Sequence, residues 1–294
     1  MSDLVLGTVQ FGLDYGVTNE RGCVPPEEVE SILRFAYGHG VTRLDTAQNY
    51  GDAEQVLGQV MDPDWSFEVS SKLPGCGHHP LEDQSMGQWD FLLQRSLEQM
   101  RLERIDCLMV HSAKDLLRPD RDLLLQWLHR VKEQGLIQRI GASLYHGVPV
   151  ERLPLESLDL VQLPISVYDR RFIDDGTVEL LKGRDVAIQA RSLFLQGLVL
   201  AAPEDWPDWV DAGDLDQHRQ FWLALQDVGL SPLEFAYQYI RRLPSLDSLV
   251  VGVTCLAELE SIVRVHDAGP ALDQSLAPPC FSDPLLDPRT WTAR

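Results

Sequence analysis

Eight times along its length the chain passes from a short apolar run into an amphipathic helical one, and no other feature limits its fold so sharply. Strand-like runs occur near 4–8, 41–45, 67–72, 105–110, 139–143, 158–163, 186–191 and 246–252. Helical periodicity follows near 26–37, 52–60, 88–101, 120–134, 148–153, 174–182, 232–242 and 256–265, with apolar residues such as Val29, Ile32, Leu33 and Ala36 recurring at helical spacing. Gly135 reads as a helix stop, and Ser231 with Pro232 as a helix start. Such alternation predicts a parallel sheet, and eight units predict its closure into an α/β (β/α)8 TIM barrel. The 294 residues fit one such domain over 1–294, with a core at about 4–267. Two segments break the pattern: 195–229, a long loop after strand 7 that carries a helix over the barrel mouth, and 268–294, a Pro-rich irregular tail that is either a lid or disordered.

Composition narrows the partners. The 45 Asp plus Glu exceed the 25 Lys plus Arg, and a net charge of -20 disfavours nucleic acid or an anionic membrane surface. The chain lacks a signal peptide pattern and an uninterrupted run of eighteen apolar residues, so a cytoplasmic protein is expected. Five scattered cysteines without metal-ligand spacing fit reduced thiols and no metal.

Barrels of this kind do their chemistry at the carboxyl ends of their strands. Asp45 and Tyr50 follow the second strand, Lys72 closes the third and His111 follows the fourth. Singly, each reads as a cap, a packing residue or a solvated charge. Together they form a proton-transfer set: a phenol titrates near 10, so giving up its proton at neutral pH requires a neighbouring ammonium, and a carboxylate keeps that ammonium charged and placed.

With these residues in view the sequence resembles the aldo-keto reductase family. The matching pieces are Leu6-Gly7-Thr8, Phe11-Gly12, Leu44-Asp45-Thr46-Ala47, Asn49-Tyr50-Gly51 with Glu54, Ser71-Lys72-Leu73 and Val110-His111. The resemblance implies that Asp45, Tyr50, Lys72 and His111 are the catalytic residues of an NAD(P)H-dependent oxidoreductase acting on an aldehyde, ketone or sugar-like carbonyl. No strand is followed by G-x-G-x-x-G, so a doubly wound nucleotide fold is disfavoured. By resemblance the dinucleotide instead lies across the barrel mouth, near Gly7, Thr8, Ser143, Gln162, Arg191 and Ser192. Its phosphates are then expected on free amides at Gly252, Val253, Thr254 and Cys255, ahead of the last helix.

The chain also departs from the family. Ser143-Leu144 stands where Ser-Asn is common, and Arg191 where an aromatic stacks on the nicotinamide. Glu258 and Ile262 replace an Arg and an Asn that serve the adenosine end. The resemblance implies NADPH, whereas an acid at 258 repels a 2'-phosphate and favours NADH. A dinucleotide-binding sensor or regulatory subunit, and a lyase or isomerase using the same Tyr-Lys pair, are the alternatives. A small-molecule partner and a monomer or small homo-oligomer are expected. Arg191 and the pair Arg170-Arg171 are unusual cations in so acidic a chain; they read either as surface ion pairs or as receptors for a substrate carboxylate or phosphate.

Overall fold

The computed structural model describes residues 2–77, 79–243, 245–268 and 276–291. Eight strands, β1 (Asp3–Gly7), β2 (Arg43–Asp45), β3 (Glu68–Leu73), β4 (Ile105–Val110), β5 (Ile137–Ser143), β6 (Leu160–Pro164), β7 (Ala187–Arg191) and β8 (Ser248–Gly252), pair in parallel and in chain order. β8 closes on β1, and the result is the expected barrel. Outside it run α1 (Pro26–Gly38), α2 (Ala53–Val60), α3 (Asp83–Met100), α4 (Asp122–Glu133), α5 (Arg171–Asp174), α6 (Thr177–Lys182), α7 (Ala212–Asp227), α8 (Pro232–Arg241), α9 (Leu256–Asp267) and α10 (Asp283–Leu286). Among the described residues no helix is long and apolar enough to cross a membrane.

Successive side chains of a strand point to opposite faces, so one parity faces the helices and the other the barrel interior. Leu4, Leu6, Leu44, Val69, Leu73, Leu108, Val110, Ile140, Ala142, Val161, Leu163, Ile188, Ala190, Leu249 and Val251 all belong to the core under the helices. The opposite parity stays in register around the barrel: Gly7 with Asp45, Asp45 with Ser70, Lys72 with Met109, Ser143 with Gln162, Gln162 with Gln189, and Gly7 with Gly252. Cys107, Met109 and Leu160 pack together with Ala187 on this parity. Toward the carboxyl ends the same rows turn polar. The site is thus the top layer of a single interior face.

Several elements differ from their sequence patterns. The helix expected at 148–153 is two single 3-10 turns, Val150–Arg152 and Leu155–Ser157. Pro149 and Pro154 explain it, since each lacks an N–H donor and disfavours helical backbone in the residue before it. The helix expected at 174–182 is split into α5 and α6 at Gly176, whose φ is 80°. α3 begins at Asp83, earlier than its periodicity predicts, because Glu82 and Ser85 form a capping box. Ser231 does cap α8, and Gly135 does take the left-handed conformation after α4.

The segment expected as a helix-bearing loop carries α7 and shares a second core with the tail: Trp206, Phe221, Leu225 and Phe235 pack with Leu285 and Leu286. His218 pins this roof. A carbonyl can only accept, so the His218 Nε2–H donates to Ala201 O at 2.9 Å, and Nδ1 accepts from the Tyr168 hydroxyl at 2.8 Å. Burial pushes His218 down to about 4 and keeps it neutral. The tail was expected to be irregular throughout, yet 283–286 are helical because Leu285 and Leu286 are buried in this second core. Residues 269–275 and 292–294 of that expectation lie outside the described residues.

Two glycines set the turn that carries Tyr50. A Cβ on Gly12 would lie 2.0 Å from Tyr50 O and 2.3 Å from Ala53 N. A Cβ on Gly51, at φ 54°, would lie 2.2 Å from Gly12 O. Gly12→Ala is therefore expected to lower folding stability by about 1–3 kcal/mol, the range for overpacking, in chemical denaturation. An unchanged midpoint would show that the Tyr50 turn shifts freely.

Candidate active site

Lys72 is 1% exposed and Asp45 3% exposed. Two buried charges are tolerated only when paired and otherwise hydrogen-bonded. Lys72 Nζ donates to Asp45 Oδ2 at 2.6 Å, to Thr46 O at 2.9 Å and to the Tyr50 hydroxyl at 3.4 Å, which occupies its three protons. Burial alone would lower the lysine, but the Asp45 carboxylate and the Tyr50 oxygen outweigh it and hold Lys72 above its ordinary value. Its Nζ also sits 4.9 Å from the centroid of the Tyr50 ring. The ammonium is thus permanently charged and seated under the phenol.

The second oxygen of Asp45 accepts from Gln162 Nε2 at 2.8 Å. The same nitrogen donates to Gln189 Oε1 at 2.7 Å, and Gln189 Nε2 donates to Ser248 Oγ at 3.2 Å. A chain of polar groups therefore crosses the barrel from β8 through β7 and β6 to β2 and β3. His111 meets Tyr50 edge to face, with ring centroids 6.2 Å apart. Burial, then the positive charges of Lys72 and Arg191, push His111 down to about 4, so its imidazole is neutral at physiological pH. Behind β3 the Glu54 carboxyl accepts from the Ser71 and Ser96 hydroxyls at 2.6 and 2.9 Å, tying α2 to β3 and α3.

A cavity of about 850 Å³ opens over this floor. Of the residues expected at the site, Gly7, Thr8, Asp45, Tyr50, His111, Ser143, Gln162, Arg191, Ser192, Gly252, Thr254 and Glu258 line it. Lys72 lies beneath, reached through Tyr50. Val253, also expected there, does not line the cavity: it is 1% exposed and belongs to the core under the helices. Gln162 Oε1 and His111 Nδ1 are buried without a partner, and the cavity is where a donor for the first can enter. The neighbouring strand ends Gly7 and Gly252 bare their backbone to the cavity; a Cβ on Gly252 would come within 2.6 Å of Gln10 Oε1. These features fit a carboxamide-bearing ring close to Tyr50.

At the start of α9, Thr254 N, one of the amides expected to seat a phosphate, is already bonded within the chain. Glu258 turns back and accepts from Thr254 N at 2.7 Å and from the Thr254 hydroxyl at 2.9 Å. Glu28 of α1 accepts from Leu256 N at 2.7 Å. A carboxylate near a helix N-terminus satisfies open donors and complements the dipole, so the chain fills this position itself.

The three unusual arginines separate. Arg171 forks onto Asp169 at 2.9 Å through both Nε and Nη2 and also holds Asp283 and Leu286 O. Arg170 donates to Val167 O and Pro279 O. Both fasten the tail to the barrel. Arg191 alone of the three faces the cavity. Ser192, Leu195 and Gln196 just beyond it have φ of 59°, 46° and 54°, a cluster of strained backbone at the mouth. Tyr15, Tyr145 and Gln196 also line the cavity and escaped the sequence reading. Tyr145 was findable as a polar aromatic two residues past a strand end; Tyr15 lies in a loop without periodicity.

The sequence profile of the Aldo/keto reductase family matches residues 3–276. The chain is similar to the L-glyceraldehyde 3-phosphate reductase of Escherichia coli O157:H7, 24% identical over 274 residues that cover 81% of this chain and 78% of that one. It is also similar to the D-arabinose 1-dehydrogenase of Saccharomyces cerevisiae, 26% identical over 157 residues. That match spans 51% of this chain and 44% of the yeast protein. In fold it resembles an aldo-keto reductase from Bacillus halodurans in its holo form, with a TM-score of 0.74, 18% identity and coverage of 92% of this chain and 88% of that one. With the profile spanning nearly the whole barrel, the chain belongs to the aldo/keto reductase family and is an oxidoreductase acting on carbonyl groups.

Proposed function

We propose that this protein reduces an aldehyde, ketone or sugar-like carbonyl, with Tyr50 as the proton donor and NADH accepted at least as well as NADPH. The observation that carries the reading is the buried Asp45–Lys72 pair whose ammonium touches the Tyr50 hydroxyl at 3.4 Å on the cavity floor. A carbonyl oxygen placed between Tyr50 and His111 receives the phenolic proton as negative charge develops on it. The phenolate left behind sits beside a cation already desolvated and oriented, so no solvent has to reorganise. Neutral His111 orients the carbonyl without competing for the proton. A reduced nicotinamide dinucleotide supplies the hydride when bound. Gly7, Thr8, Ser143, Gln162 and Gly252 would hold it, Gln162 through its unpartnered oxygen. The names of the two relatives support small hydroxylated carbonyl compounds as the substrate range.

Tyr50→Phe keeps most of the packing and removes the proton. Carbonyl reduction is expected to fall by at least ~10²-fold, the effect of losing a general acid, while dinucleotide binding persists in fluorescence titration. Near-normal turnover would sink the mechanism, and wild-type protein inert toward a panel of aldehydes with both dinucleotides would favour the sensor reading.

The pH profile tests His111. Its imidazole gains a proton only as pH falls through about 4. The profile of kcat/KM for reduction should therefore carry no His111 inflection between pH 5 and 8 and should decline on the acid side near 4. An inflection near 6.5 that disappears in His111→Gln would contradict this.

Glu258 tests the cofactor reading. Equilibrium titration should show NADH bound as tightly as NADPH or more tightly. Glu258→Arg should improve NADPH affinity by about tenfold or more through a charge-assisted contact. A wild-type protein that strongly prefers NADPH would show that the Glu258 carboxylate leaves Thr254 and does not oppose the phosphate.

A further inference from the structure

Among the described residues Arg191 is a cation without an ion-pair partner, in a chain that has 45 acids for 25 Lys plus Arg. Its two hydrogen-bond partners are the Leu144 carbonyl at 3.0 Å and the Ser192 hydroxyl at 3.1 Å. Among the described residues no carboxylate comes within ion-pair distance of it, although the two cations that share its recess are forked onto their own acids, Arg171 onto Asp169 and Arg289 onto Asp287. These five side chains share one recess beside Tyr145, three cations against two acids. The charge left over is on Arg191, the member that also lines the reaction cavity.

The guanidinium is fixed as well as unpaired. Its carbon lies 4.4 Å from the centroid of the Tyr145 ring, and Arg289 approaches the same ring at 4.2 Å. Two of its five N–H groups are engaged by Leu144 and Ser192, which leaves three for a ligand. The recess toward Arg289 has room for only about 10 Å³, whereas the reaction cavity holds about 850 Å³. An anion therefore reaches Arg191 from the side of Tyr50 and His111.

From this geometry we infer that Arg191 recognises an anionic group on the substrate, so that the preferred substrates are carbonyl compounds bearing a carboxylate or a phosphate. The inference rests on the reading of Tyr50 as the reducing centre and specifies its substrate class. A half-buried guanidinium without a counterion gains most from a ligand that neutralises it, and its planar fork matches either oxyanion. The Ser192 hydroxyl lies within reach of the same group. The C-terminal segment contributes indirectly: anchored by Arg171, it brings Arg289 onto Tyr145 and so braces the ring against which Arg191 lies.

The test compares matched pairs of aldehydes, butanal against succinic semialdehyde and glyceraldehyde against glyceraldehyde 3-phosphate, in wild type, Arg191→Met and Arg191→Lys. The charged-to-neutral ratio of kcat/KM should exceed about tenfold in wild type for at least one pair. That ratio should fall about tenfold or more in Arg191→Met, the effect of one charge-assisted contact. Partial retention is expected in Arg191→Lys, and the pair that loses more identifies carboxylate or phosphate. A ratio near one in wild type, or the same ratio in Arg191→Met, overturns the inference while leaving the Tyr50 reading intact. So does an unchanged ratio combined with weakened dinucleotide binding, which would assign Arg191 to the cofactor. Should the wild type reduce none of the four aldehydes, the Tyr50 reading fails, and calorimetry with succinate and with inorganic phosphate decides the anion site separately. Binding weakened about tenfold in Arg191→Met supports it, and no binding or equal binding overturns it.

Discussion

The ion pair between Asp45 and Lys72 is the constraint on which the rest of the site depends. Withdrawing both charges from water costs several kcal/mol per ion, and an apolar pair of the same size would often be more stable. The pair is tolerable because nothing in it is left unbonded: Lys72 has Asp45, Thr46 and Tyr50, and Asp45 has Lys72 and Gln162. Its stability expense maintains a positive charge beneath a phenol in a place where water cannot screen it. On the proposed reading, that charge stabilises the phenolate left when Tyr50 gives its proton to a carbonyl.

The pair in turn requires the closed barrel. Asp45, Lys72, Gln162, Gln189 and Ser248 come from five strands and meet only because interior parity is conserved around all eight. A one-residue slip of any of these strands would turn its polar residue toward the helices and leave a buried charge or amide without its partner. The helix-facing rows enforce the register, since the same slip would turn their leucines, valines and isoleucines into the polar interior. Packing outside the barrel thereby positions chemistry inside it.

Around the mouth the chain handles charge in two opposite ways. At the start of α9 it supplies its own anions, Glu258 and Glu28, to amides that could otherwise hold a phosphate. At the end of β7 it leaves a cation, Arg191, with no carboxylate in ion-pair distance among the described residues. The roof formed by α7 and the tail is held by buried neutral contacts, among them the Tyr168–His218–Ala201 relay, and by Arg171.

The order of strands and helices, and the four residues at three successive strand ends, were legible in the sequence because both are local. Periodicity reports which face of an element is buried, and a polar residue that ends a buried strand can only face the mouth or the surface. The two 3-10 turns at Pro149 and Pro154 were legible in principle, since proline acts on its own neighbours. The roles of the charged residues were not. Arg170, Arg171 and Arg191 look alike in sequence, and Glu258 reads as an acid facing a ribose until its carboxylate is seen bonded to Thr254. Arg289 lies 98 positions beyond Arg191 in a tail without periodicity, yet both rest on Tyr145. A long side chain can reach any of several partners, and which one it takes depends on what the closed barrel brings near. Sequence therefore determined the barrel and the polar residues of its floor, while only tertiary structure decided which charges are neutralised within the chain.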